Sequence, residues 1–133
     1  MKIDKIEGIS SAYASKLRKA GIRTTERLLK VACTKAGRRA IAEQTSISES
    51  MILDWVNRAD LMRLRGIGEE YSDLLEHAGV DSVKELRTRK VENLYQKLLE
   101  INTAKRLVRR TPSIHQVRRW VTEAKSTKPM VSH

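Results

Sequence analysis

The chain has no phenylalanine, one cysteine and two prolines among its 133 residues, with only two tryptophans and three tyrosines. So few aromatics leave Leu, Ile, Val and Ala to fill the core of a chain whose 40% hydrophobic content is otherwise ordinary. A single cysteine, Cys33, excludes an internal disulfide and any multi-cysteine zinc site. It ends an apolar helical stretch and reads as a packing residue. No apolar run approaches the roughly 20 residues that cross a bilayer. Met1-Lys2-Ile3-Asp4-Lys5 lacks the apolar stretch of a secretion signal, so a cytoplasmic protein without a membrane partner is expected. Patterns that carry catalysis are missing too: there is no Walker phosphate loop, no dinucleotide fingerprint and no Gly-x-Ser-x-Gly elbow. His77, His115 and His133 stand at no recognised metal-ligand spacing. Glu69, Asp73 and Glu76 share a helical face that would suit a divalent metal for phosphodiester cleavage, but amphipathic helices commonly show such a face. The expectation is a non-enzyme with no catalytic residue, metal or cofactor.

What the chain has in excess is positive charge, 27 Lys and Arg against 16 Asp and Glu, for a net charge of +11. A polyanion gains from counterion release when such side chains approach its phosphates. The distribution is uneven. Residues 1–60 carry 12 basic and 7 acidic side chains, and residues 61–86 carry 3 and 6. Residues 87–128 hold the remaining 12 basic groups against Glu92, Glu100 and Glu123, which concentrates the field in the last third.

The chain also repeats itself. Ile6-Glu7-Gly8-Ile9-Ser10-Ser11-Ala12-Tyr13 aligns with Leu64-Arg65-Gly66-Ile67-Gly68-Glu69-Glu70-Tyr71 at an offset of 58 residues. The match continues through Leu17 and Leu75, Ala20-Gly21-Ile22 and Ala78-Gly79-Val80, Thr24 and Ser82, and Leu28 and Leu86. Trp55 and Ala59 correspond to Trp120 and Ala124 at an offset of 65, so the second copy has gained about seven residues, assigned to a loop near residues 102–112. Tyr13, Leu17 and Ala20, like Tyr71, Leu75 and Ala78, recur at helical spacing. Gly21 and Gly79 supply a left-handed stop, Thr24 and Ser82 serve as N-caps, and Ser82 with Glu85 forms a capping box. Further helices are predicted near 35–44, 48–63, 91–101 and 113–125. In the last, Ile114, Val117, Trp120, Val121 and Ala124 face inward, and both tryptophans read as core anchors. The fold expected is all-α, two tandem helix-hairpin-helix repeats of about four to five short helices each, packed as one compact body. Residues 1–63 form the first repeat, 64–127 the second and 128–133 a flexible tail.

A hydrophobic-x-Gly-hydrophobic-Gly turn between helices has a specific use. Its glycines permit a tight turn and close approach, and the amides opening the next helix point outward, where they and the helix dipole hold a phosphate oxygen. Such binding does not read sequence. Leu64-Arg65-Gly66-Ile67-Gly68 with Leu74-Leu75 and Ala78-Gly79-Val80 resembles the helix-hairpin-helix modules of DNA repair, recombination and replication proteins. Over about residues 3–125 the chain also looks like a tandem helix-hairpin-helix family of unknown function in bacteria and archaea. That likeness rests on Gly37-Arg38-Arg39 with Ile41-Ala42-Glu43-Gln44-Thr45, on Trp55-Val56-Asn57-Arg58-Ala59-Asp60-Leu61-Met62-Arg63, and on Gly79-Val80 with Lys84-Glu85-Leu86. The broader resemblance implies DNA contact without sequence specificity, and the closer one implies fold and repeat architecture.

The two copies differ where it matters for DNA. Many DNA-binding members carry Lys or Arg just after the second glycine, whereas copy two offers Glu69-Glu70 and copy one has Ser11-Ala12, with Ser10 replacing the glycine. Carboxylates there repel phosphate while stabilising their own helix. Copy one, through the amides of Gly8, Ile9, Ser10 and Ser11 with Lys16 and Lys19 nearby, is therefore ranked above Gly66, Ile67 and Gly68 of copy two. A separate basic face is expected from Lys105, Arg106, Arg109, Arg110, Arg118 and Arg119, with Arg38 and Arg39 as the smaller counterpart in copy one. The leading expectation is a non-enzymatic protein that binds nucleic acid backbones, DNA first. The alternative is a helical adaptor whose basic face meets an acidic protein.

Overall fold

A computed structural model describes residues 1–133, which form eight α-helices and no strand. After a 3-10 turn at Ile3–Lys5 come α1 (Ser11–Lys19), α2 (Thr25–Ala32), α3 (Lys35–Thr45) and α4 (Glu49–Leu61). They are followed by α5 (Glu69–His77), α6 (Val83–Leu86), α7 (Val91–Lys105) and α8 (Ile114–Ser126). No helix is long and apolar enough to cross a membrane. The chain divides into two compact units, Met1–Asp60 with Met130–His133, and Leu61–Pro129.

In the first unit, α1 buries Ala14 and Leu17 and then stops in two backbone bonds that wrap its last turn. Gly21, at φ +85°, donates to Arg18 O at 2.9 Å, and Ile22 donates to Leu17 O at 2.8 Å. Ile22 lies buried with Leu17, which is the hydrophobic contact that accompanies this type of helix end. The same pair of bonds recurs 58 residues later, from Gly79 to Glu76 O and from Val80 to Leu75 O. Thr24 then caps α2 by accepting from Arg27 N–H at 3.0 Å, and Ser82 caps α6 through Glu85 N–H at 3.3 Å. The Ser82 capping box is only half made, because the Glu85 carboxylate turns to Arg89. The complete capping box belongs to Ser113 and Gln116, at the start of α8.

The core of the first unit holds Ile3, Ile6, Leu17, Leu28, Ile52 and Trp55, and that of the second holds Leu61, Leu64, Leu74, Leu75, Leu86, Leu98 and Trp120. Both tryptophans are buried, as their helical spacing predicts. In the second unit α7 packs on α5 and α8, and α6 packs on α8. The helix α7 runs to Lys105, beyond the predicted end near 101. Arg106, in left-handed conformation at φ 51°, donates to Asn102 O. The Asn102 side chain exchanges two hydrogen bonds with the Val108 backbone and so folds the following loop against the helix end.

Residues 128–133 were expected to form a flexible tail, but Val131 is buried and Ser132 N–H donates to Cys33 O at 2.9 Å. His133 pairs with Asn57 through its Nε2 at 3.0 Å from Asn57 Oδ1. Arg38 was expected on a basic face, but it is 3% exposed, and its guanidinium donates to Ala32 O and Ser132 O. It anchors the chain end rather than facing a ligand.

Candidate nucleic-acid interface

Each unit carries a glycine turn ahead of a helix, and the two turns share a local design. Gly8 and Gly66 sit at φ +95° and +86°, where a side chain is strained. Ile9 N–H donates to Ile6 O at 3.1 Å, and Ile67 N–H to Leu64 O at 3.2 Å. Both isoleucine side chains are buried, so at these positions neither the side chain nor the amide is left for a ligand. An aromatic pair supports each turn: Tyr13 on Trp55 at 5.3 Å between ring centroids, and Tyr71 on Trp120 at 5.2 Å.

The turns differ at the next residue. Ser10 caps α1 by accepting from Tyr13 N–H at 3.3 Å, which consumes one of the amides that open the helix. Gly68 offers α5 no such cap, and the amides of Glu69, Glu70 and Tyr71 have no partner within the chain. Those residues, with Gly68, line a cleft of about 530 Å³ whose remaining wall is Arg109 and Arg110. The loop is held there by three contacts. Glu70 accepts from Arg109 N–H at 3.0 Å and lies 3.5 Å from the Arg109 guanidinium, while Tyr71 Oη–H donates to Arg110 O at 2.9 Å. Arg109 stays 94% exposed all the same. Glu70, which the sequence presents as a repulsive carboxylate, thus tethers an arginine beside the helix start and offsets its charge.

On its other flank the same turn borders a groove of about 940 Å³ lined by Arg65, Gly66, His115, Arg118, Arg119 and Trp120, among others. Glu123 lies in this groove and accepts from Arg65 N–H at 3.1 and 3.4 Å. Arg118 sits 3.9 Å from Glu92 in an exposed pair, a contact of little energetic weight.

Of the residues singled out from sequence, the fold therefore gathers Gly66, Gly68, Arg109, Arg110, Arg118 and Arg119 around the second turn. The basic face expected to be separate from the turns borders one of them. Ser10 uses one amide of the first turn internally and leaves those of Ser11 and Ala12 without a partner, whereas the second turn keeps three open beside two arginines. Ser11, Lys16, Lys19 and Arg39 are exposed in the first unit, and Lys105 and Arg106 are exposed at the end of α7.

Sequence reasoning missed Tyr71, Glu70 and Arg65 as members of the site. A signal existed: of the seven residues gained, five fall in the connection that Glu70 and Tyr71 hold, which has eight residues between α7 and α8 against three between α3 and α4. In the first unit the Tyr13 hydroxyl meets only Met51 Sδ, at 3.9 Å. His77, which stands at no recognised metal-ligand spacing, lies 3.4 Å from Asp73 and 3.7 Å from Glu76. No group of three or more His, Cys, Asp or Glu side chains is placed to hold a metal ion.

A family model described as a domain of unknown function, DUF4332, matches residues 7–127. No curated protein and no solved structure matches the chain.

Proposed function

For a chain that belongs to this family of unknown function, DUF4332, we propose a tandem helix-hairpin-helix protein that binds nucleic acid backbones, duplex DNA first, without catalysing a reaction. The single observation behind this reading is the gathering of two arginine pairs, Arg109–Arg110 and Arg118–Arg119, on either flank of one glycine turn. Unpartnered amides at the start of α5 offer directed donors to a phosphate oxygen, and the helix dipole favours an anion there. The arginines add charge and bidentate geometry suited to phosphate. Contacts of this kind position a backbone and leave the bases unread, so affinity should depend on salt and hardly on sequence.

The test is fluorescence anisotropy of labelled duplex, single-stranded and forked DNA with the whole chain, repeated across a salt series. Binding in the micromolar range or tighter is expected at about 50 mM salt, where the electrostatic contribution is large. Its absence at that salt for all three DNA forms would sink the reading.

A further inference from the structure

The groove beside Gly66 has an indole at its floor. Trp120 is 2% exposed, yet its Nε1–H meets no acceptor within the chain and is not sealed from solvent. A donor left to solvent in this way is available to an acceptor on a ligand. The indole nitrogen is 3.4 Å from the point that a Cβ on Gly66 would occupy, so the missing side chain is what leaves this N–H uncovered. The device is duplicated: in the first unit Trp55 Nε1 lies 3.4 Å from the corresponding point on Gly8.

An indole N–H donates and cannot accept. Arg65, Arg118 and Arg119 line the same groove, and a guanidinium is likewise a donor only. The one carboxylate in the groove, Glu123, is engaged with the Arg65 amide. Three arginines against one carboxylate leave the groove net positive, and with the open indole donor this favours a ligand group that is anionic and rich in acceptors.

We propose that the Trp120 indole N–H donates to a phosphodiester oxygen seated over Gly66, with Arg118 and Arg119 supplying the charge. The inference rests on the nucleic acid reading above and deepens it, by giving the turn a neutral, directed donor besides its arginines. A neutral donor releases no counterion. Its loss therefore weakens binding without changing the salt dependence, which separates it from any arginine.

The chain has only two tryptophans, so uniform 15N labelling gives two indole signals, and Trp55→Phe assigns them. Titration with a short duplex of mixed sequence is expected to move the Trp120 signal downfield, with the midpoint seen by anisotropy. Trp120→Phe should bind about tenfold more weakly at an unchanged salt slope. If that variant does not fold, the indole signal of the unsubstituted protein decides alone. Duplex binding with an unmoved Trp120 signal would overturn the inference and leave the nucleic acid reading standing. No binding at all would overturn both, and an equal shift with inorganic phosphate alone would overturn the assignment to a diester.

Discussion

Arg38 and Arg109 put the same side chain to opposite uses. The Arg38 guanidinium is enclosed and satisfies two backbone carbonyls, whereas the Arg109 side chain is 94% exposed. Arg38→Ala is expected to destabilise the protein by about 2–4 kcal/mol, by stranding those carbonyls and opening a cavity, and to leave duplex affinity unchanged. Arg109→Ala should alter stability by less than about 0.5 kcal/mol and weaken duplex binding. Urea unfolding and anisotropy on both variants check the pair, and a reversed pattern would refute the assignment of roles. Helical spacing carries half of this distinction, because Arg38 falls in register with Ile41 and Thr45, both buried on the same face of α3. The other half comes from Ser132, 94 residues away, and no local pattern announces it.

Among the elements, helix ends were the most legible in the sequence, since a cap or a left-handed glycine acts within a few residues of itself. Thr24, Ser82, Gly21 and Gly79 all do what their types and positions imply. The destination of the loop after α7 was not legible. It depends on Glu70 and Tyr71, 39 residues away in sequence from the arginines they hold. Close helix packing gives a sharper test. Gly37 lies inside α3, where propensity alone makes alanine better by about 1 kcal/mol. A Cβ at Gly37 would stand 2.1 Å from Val31 O, a backbone atom of α2 that cannot step aside. Gly37→Ala is therefore expected to destabilise by about 1–3 kcal/mol in urea unfolding, and a stabilised variant would contradict this packing of α2 on α3. Ser113→Ala should cost about 1 kcal/mol through the lost cap of α8.

At the scale of the whole molecule, net charge is a poor guide to where an anion binds. The linear sequence concentrates positive charge beyond residue 87, but folding returns the acidic stretch at 61–86 to the same unit. The first unit then holds 12 basic and 7 acidic side chains and the second 15 and 9, a similar excess in each. What distinguishes the second unit is arrangement: two arginine pairs border one turn. The most direct measurement is the slope of log affinity against log salt for duplex DNA. Neutralisation of about four phosphates gives a slope near −3.6, and replacing either arginine pair with alanine should bring it to about −1.8. Lys16→Ala with Lys19→Ala, in the first unit, should leave it near its original value. An unchanged slope after loss of Arg109 and Arg110 and of Arg118 and Arg119, or a fall confined to the lysine variant, would contradict the account.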